Sequence, residues 1–329
     1  MKKKLIISSI IIIGGFIIIF FLIFIQSLYG TSDIKKLVDI PPGLTAQEIA
    51  NLLYKENIIK NKSFFIFLSK KNSLDKKLKA GTYEFNKRPF IENVLKKLIK
   101  GEIAYLKITI PPGSTCKDIG KILENYNVCS ERSFNDMCKK YKLEGFLFPD
   151  TYYFPLKVSK KVVARKMIST FWNEIKTLYP AVKKITPQKL KKIVIIASII
   201  EKEAGPDNEK PLIASVFYNR LKIGMPLQSD VTIMYIMKNQ EKAPTPSDLK
   251  IISPYNTYIY KGLPPTPICN PGIISLKAAI FPAKTNYLYF ASRGNDTSYF
   301  AKNYHDFLIK QEHYYNLENK ESDTNISNK

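Results

Sequence analysis

An internal duplication constrains what the N-terminal half of this chain can fold into. The segment Ile40–Gly43, which reads Ile-Pro-Pro-Gly, recurs seventy residues later as Ile110–Gly113, and the similarity continues to Phe85 and Phe154. Each copy opens with alternating apolar and polar residues, which is typical of a strand, and continues through a Pro-Pro-Gly turn. The sequence therefore predicts two units with the order strand, helix, helix, strand, over about residues 37–86 and 106–155.

Helix starts are marked in both copies. Thr45 and Thr115 each precede an acidic residue by three positions, Glu48 and Asp118, which is the spacing of a capping box. The resulting element order resembles the LysM domain, a small module that binds N-acetyl-sugar polymers. The resemblance implies glycan binding by residues 37–157, although a packing unit without affinity for any ligand would show the same order.

The N-terminus combines basic residues with a long apolar run. Three lysines follow Met1, and residues 5–25 carry no charge. This length is sufficient to span a bilayer, and lysines on the N-terminal side alone indicate a cytoplasmic N-terminus. We expect a cell-membrane protein with residues 1–4 in the cytoplasm, a single transmembrane helix over 5–25, a linker over 26–36 and the remainder outside. A cleaved signal peptide is the alternative.

The net charge of +23 would suggest nucleic acid as the partner of a cytoplasmic protein. The predicted topology excludes that partner. Outside the membrane a basic surface attracts lipid headgroups of the bilayer and wall polymers. Because the lysines are scattered along the whole chain, a compositional origin explains the charge equally well.

The four cysteines indicate neither a metal site nor a disulfide scaffold. Their spacing matches no zinc motif, and isolated buried thiols are favoured over a disulfide. These residues are Cys116, Cys129, Cys138 and Cys269.

Longer helices are predicted from residue 158 onward, forming a mostly helical α+β catalytic domain over 158–312, before a polar and disordered tail over 313–329. The nearly uninterrupted apolar run Ile193–Ile200 indicates a helix buried on all sides. Glu201 would then stand near the helix C-terminus, where desolvation and the helix dipole both favour a protonated carboxyl. Such a carboxyl suits a general acid. Glu203 lies about 200° further around the helix, so only one of the two is predicted to be catalytic; both could also simply mark where the helix reaches solvent.

Polar and aromatic residues downstream are candidates for sugar binding, because amides and hydroxyls can bond acetamido groups and aromatic faces can pack on pyranose rings. Hydrogen bonds that only stabilise loops explain each of them as well. The substrate-binding candidates are Gln228, Ser229, Asp230, Tyr235, Tyr255, Asn256 and Tyr258, and the supporting candidates are Glu203, Asn219 and Arg220.

Several motifs in order closely resemble the endolytic murein transglycosylase, or YceG-like, family. The matching segments are 143–152, 197–203, 214–221, 224–232, 253–258, 262–265, 267–272 and 283–285. The resemblance implies a membrane-anchored lytic transglycosylase that cleaves the MurNAc-GlcNAc bonds of nascent strands, and it assigns the catalytic glutamate to Glu201. It also implies peptidoglycan as substrate, peptidoglycan synthases as partners, 1,6-anhydroMurNAc ends as products, and no metal or other cofactor.

One departure from the family lies near the C-terminus. Ser298 stands where the family usually carries a histidine, while His305 is retained in the following segment. Two alternatives remain open. The first is a muramidase-type hydrolase in which Asp230 or Glu203 is the second carboxylate, and the second is a wall-binding scaffold without activity.

Overall fold

The computed structural model describes residues 2–203, 205–237, 242–293 and 297–314. The chain mixes helices with short strands, as predicted, and separates into two compact units. The first unit comprises Met1–Lys107 with Tyr153–Val158, and the second comprises Ile108–Tyr152 with Ser159–Lys329. The domain boundaries derived from the sequence stay predictions, and the disordered tail predicted over 313–329 lies almost wholly outside the described residues.

The first helix, α1, spans Lys2–Ser27. No helix in the described part of the chain is both long enough and apolar enough to cross a membrane. The transmembrane helix expected over residues 5–25 is therefore wrong.

The first repeat folds in the predicted order. Its elements are β1 (Lys36–Ile40), α2 (Ala46–Lys55), α3 (Lys62–Lys70), a 3-10 helix (Lys71–Lys77) and β2 (Gly81–Phe85), followed by α4 (Ile91–Lys100). The strands pair antiparallel with Lys36 opposite Phe85. Thr45 and Glu48 form the predicted capping box. Inward residues of both strands and of the three helices make one apolar core.

The second repeat has the same order and a second capping box. Its elements are β3 (Tyr105–Thr109), α5 (Cys116–Asn125), α6 (Glu131–Tyr141) and β4 (Thr151–Pro155), and its two strands pair with each other. Thr115 and Asp118 cap α5 as predicted. The likeness to a LysM domain stays a prediction. All four cysteines belong to the described residues and are free thiols; Cys116, Cys138 and Cys269 are buried, and Cys129 is partly exposed.

The second unit is built around one buried helix. Its elements after the repeat are α7 (Lys160–Leu178), α8 (Pro187–Lys202), α9 (Lys210–Lys222), α10 (Asp230–Ile236), α11 (Ile273–Ile280), the hairpin β5 (Tyr289–Ser292) and β6 (Ser298–Ala301), and a helix over 304–314. Residues 193–200 of α8 are all buried, and α8 packs against α9 and α11. The prediction of a helix buried on all sides is confirmed. The helix ends at Lys202, and Glu203 follows with an extended backbone.

Candidate active site

A cavity of about 460 Å³ lies beside the C-terminal end of α8, a size typical of small-molecule sites. Its walls come from the α8 end, the loop between α9 and α10, the hairpin β5–β6 and the helix over 304–314. The polar side chains in its lining include Glu203, Arg220, Gln228, Asp230 and Tyr258, and the aromatic ones include Tyr289, Tyr304 and Phe307.

Glu203 is the acid at the α8 end of this cavity. The Ser229 hydroxyl donates a hydrogen bond of 2.6 Å to Oε1 of Glu203. Burial raises the pKa of Glu203 to about 7; the Ser229 hydrogen bond opposes that rise, the Asp230 charge adds to it, and the Arg220 charge opposes it. A carboxyl with this pKa is present in both protonation states near neutral pH, so it can both give and take a proton.

Asp230, the first residue of α10, supplies a second acid to the same cavity. The Tyr258 hydroxyl donates a hydrogen bond of 2.6 Å to Oδ1 of Asp230. Burial, and then this hydrogen bond to Asp230, raise the pKa of Tyr258, so the phenol stays protonated and keeps its role as donor. The two acids of the cavity are thus each held by a hydroxyl donor.

Arg220 connects several parts of the cavity wall by hydrogen bonds. Its Nε donates to the Leu288 carbonyl at 2.6 Å, and Nη1 donates to the Leu227 carbonyl at 2.7 Å. The guanidinium lies 5.2 Å from the centre of the Tyr289 ring, within the range of a cation–π contact. Burial lowers the pKa of Arg220, yet a guanidinium keeps its charge in proteins, so a fixed cation lies beside the two acids.

Four of the other candidate residues lie away from this cavity. Asn256 is fully buried, and its amide donates to the Leu249 and Ile251 carbonyls. The Asn219 amide donates to two backbone carbonyls of the segment that leads to β5. Tyr235 and Tyr255 face each other at 5.1 Å between ring centres and line a different cavity. Asn219 and Asn256 therefore shape loops.

Glu201 also lies outside the lining of the cavity. Its Oε2 accepts the Gly272 N–H at 2.8 Å, and its Oε1 lies 3.6 Å from Nζ of Lys210. Lys210 is in turn 2.9 Å from Asp207. The two glutamates at the end of α8 thus have different partners: Glu201 joins a charged cluster, whereas Glu203 lines the cavity. The assignment of Glu201 as the catalytic acid stays a prediction.

Comparisons with known proteins agree with this architecture. The model of the YceG-like family matches residues 38–313. The chain belongs to the YceG-like family. The resemblance identified from its motifs is therefore confirmed.

Two relatives of this chain carry the same name. A protein of Bacillus subtilis (strain 168), named endolytic murein transglycosylase, is 32% identical over 310 residues, which cover 86% of this chain and 86% of the relative. A protein of the same name from Streptococcus pneumoniae serotype 2 is 30% identical over 313 residues, which cover 82% of this chain and 56% of the relative. A crystal structure of a YceG-like protein from Listeria monocytogenes aligns with a TM-score of 0.55 at 33% identity, over 84% of this chain and 99% of that one.

This YceG-like chain also has aromatic lining that sequence reasoning missed. The Tyr289 ring centre lies 5.8 Å from that of Tyr304 and 5.5 Å from that of Phe307. Tyr and Phe at such spacings in a strand and a helix usually indicate core packing, so no local signal separates them from core residues. Their cluster provides the apolar faces on which sugar rings can pack.

Ser298, which stands where the resemblance to the family implies a histidine, also lies at the cavity. Ser298 is buried in the lining, and its N–H donates to the Glu209 carboxylate at 3.0 Å. His305 is exposed and is not one of the lining residues. The serine therefore occupies the cavity wall, whereas His305 faces solvent.

Proposed function

We propose that this chain is an endolytic murein transglycosylase that cleaves the glycan strands of peptidoglycan, with Glu203 as its acid and base. One observation carries the assignment of Glu203: a glutamate whose pKa burial raises to about 7 lines a cavity beside Asp230 and accepts a hydrogen bond from Ser229. The function itself is supported by the relatives, whose name states that activity.

The reaction needs one proton donor that becomes a proton acceptor. Protonated Glu203 gives its proton to the glycosidic oxygen between MurNAc and GlcNAc, and the bond from that oxygen to C1 breaks. The Glu203 carboxylate then takes the proton of the MurNAc C6 hydroxyl while that oxygen bonds to C1. The product carries a 1,6-anhydroMurNAc end, and no water is consumed.

Neighbouring groups support these steps. The Asp230 carboxylate, held by Tyr258, is placed to stabilise the positive charge that develops at C1. Ser229 fixes the orientation of the Glu203 carboxyl. The aromatic cluster of Tyr289, Tyr304 and Phe307 offers surfaces on which the sugar rings stack.

We further propose where the enzyme acts. Murein lies outside the cytoplasmic membrane, so the reaction takes place there, on nascent strands beside the peptidoglycan synthases that make them. The net charge of +23 favours contact with anionic lipid headgroups at that surface.

The glutamate assignment is tested with two matched variants, Glu203→Gln and Glu201→Gln, incubated with purified peptidoglycan. Counting anhydro ends by mass spectrometry should show a loss of about 10²- to 10⁴-fold in Glu203→Gln, the usual contribution of a general acid. Glu201→Gln should lose less than about tenfold, since Gln still accepts the Gly272 N–H and Lys210 keeps its ion pair with Asp207. The reverse ranking, with both variants folded by circular dichroism, would assign the reaction to Glu201 instead.

A muramidase-type hydrolase is the second candidate, because Glu203 and Asp230 line the same cavity and hydrolases use paired carboxylates. The same digest separates the two reactions. Reducing ends in place of anhydro ends would establish the hydrolase. A protein that binds the glycan without cutting it would be a scaffold.

A further inference from the structure

A second, larger cavity lies at the other end of α10. Its volume is about 530 Å³, and Tyr235 and Tyr255 form part of its wall. Three lysines also line it: Lys139 and Lys142 from the end of α6 and Lys191 from α8. None of these groups is used in the proposed reaction.

The two cavities follow one path along α10. Asp230, the first residue of α10, lines the catalytic cavity, and Tyr235, five residues further on, lines the second one. A smaller cavity of about 160 Å³ is bordered by Tyr235, Lys202 and Val231. Tyr235 also lines the second cavity, and Lys202 and Val231 are the chain neighbours of Glu203 and Asp230, so this cavity lies between the other two. A polymer held at Glu203 can therefore continue along α10.

The second cavity carries uncompensated positive charge. Lys139, Lys142 and Lys191 are exposed, and none of them forms an ion pair with a residue that the structure describes. Glu144, the acidic residue of this lining, is outnumbered by the three lysines, and its hydrogen-bond donors are neutral. Its oxygens accept the Cys116 N–H at 3.0 and 3.1 Å and the Asn270 amide at 3.0 Å.

The charge identifies which part of a murein strand fits there. GlcNAc is neutral, whereas MurNAc carries a stem peptide that ends in free carboxylates. Three unpaired lysines beside an aromatic wall match an acidic peptide on a sugar better than a neutral sugar. We propose that this cavity binds the acidic stem peptide of the strand whose glycosidic bond lies at Glu203, an inference that rests on the proposed transglycosylase function.

The test compares two substrates and two charge-matched variants. One substrate is murein strands that carry stem peptides, and the other is the same strands after an amidase has removed the peptides. The test variant is Lys139→Gln with Lys191→Gln. The control is Lys140→Gln with Lys192→Gln, which removes the same charge from exposed neighbours on the same two helices outside the lining. Lys142 is left unchanged because it caps α6 in a left-handed conformation, with φ +53°, and a substitution there would test the helix end as well as the charge.

Kinetics of anhydro-end formation should separate the outcomes. For the test variant, KM on peptide-bearing strands should rise roughly three- to tenfold, the effect of losing two exposed ion pairs, with kcat unchanged. Its KM on peptide-free strands, and both KM values of the control variant, should match the parent. Raised salt should increase the KM of the parent on peptide-bearing strands and remove its advantage over the test variant.

Two results would overturn this proposal while leaving the proposed function intact. One is an equal rise of KM on both substrates, and the other is an equal rise in the control variant. If the parent protein makes anhydro ends from neither substrate, the proposed function itself is overturned.

Discussion

At the residue scale, two neighbours act on Glu203 in opposite directions. The hydrogen bond from Ser229 stabilises the carboxylate and lowers the pKa of Glu203, whereas the charge of Asp230 raises that pKa. Because the protonated form starts the reaction, kcat/KM should fall as pH rises through the pKa of Glu203. The alkaline limb of the pH profile therefore reports on both neighbours.

Substituting each neighbour should move that limb in opposite directions. Ser229→Ala removes the stabilising donor, so the limb should move to higher pH by roughly one unit, as expected for a hydrogen bond to a charged group. Asp230→Asn removes the negative charge and keeps an acceptor for Tyr258, so the limb should move to lower pH. The measurement is kcat/KM for anhydro-end formation from about pH 5 to 9. Shifts in the same direction would show that Glu203 is not the titrating acid.

At the element scale, two glycines distinguish the effect of backbone conformation from the effect of close packing. Both have positive φ, +88° at Gly145 and +67° at Gly224. A Cβ at Gly145 would lie 2.5 Å from the Pro267 side chain and 2.8 Å from that of Val194, whereas one at Gly224 would meet no atom within 4 Å. The turn at Gly145 therefore needs glycine for close contact with α8 as well as for its backbone.

Alanine at these two positions should have unequal costs. Gly224→Ala should lower the free energy of unfolding by about 1–2 kcal/mol, the cost of a left-handed conformation. Gly145→Ala should lower the free energy of unfolding by that amount and by roughly 1–3 kcal/mol more, because the added methyl group must displace Pro267 or Val194. Urea unfolding of both variants measures the difference, and equal losses would contradict the packing argument.

Local patterns predicted the elements better than they predicted the site. The apolar run Ile193–Ile200 suffices to predict α8, and the spacing of Thr45 and Glu48 suffices for a capping box, because both depend on residues within a turn or two. The partnership of Glu203 with Ser229 depends on how α8 and the loop before α10 meet in space. No local pattern contains that contact. Helical periodicity indicated only that one of the two glutamates is catalytic, and the choice of Glu201 came from the resemblance to the family.

At the scale of the whole molecule, buried acids link stability to pH. Burial raises the pKa of Glu203 and of Glu144 to about 7, from 4.5 for an ordinary glutamate. Between about pH 4.5 and 7 the folded chain therefore binds more protons than the unfolded chain. Its free energy of unfolding should fall as pH rises through this window and level off above it.

Glu203→Gln should remove the contribution of Glu203 to the pH dependence of the free energy of unfolding. Near pH 5 the parent carboxyl is protonated when folded, so parent and variant should be close in stability. Near pH 8 the parent must hold a charge in a partly buried cavity, and the variant should be more stable by up to roughly 3 kcal/mol, the ceiling set by the pKa shift and reduced by solvent screening. Urea unfolding at the two pH values measures this change, followed through the transition of the second unit.

A parent–variant difference that is the same at pH 5 and pH 8 would mean that the Glu203 carboxyl does not titrate between these pH values in the folded chain. It would then lack the proton exchange near neutral pH that the proposed reaction requires.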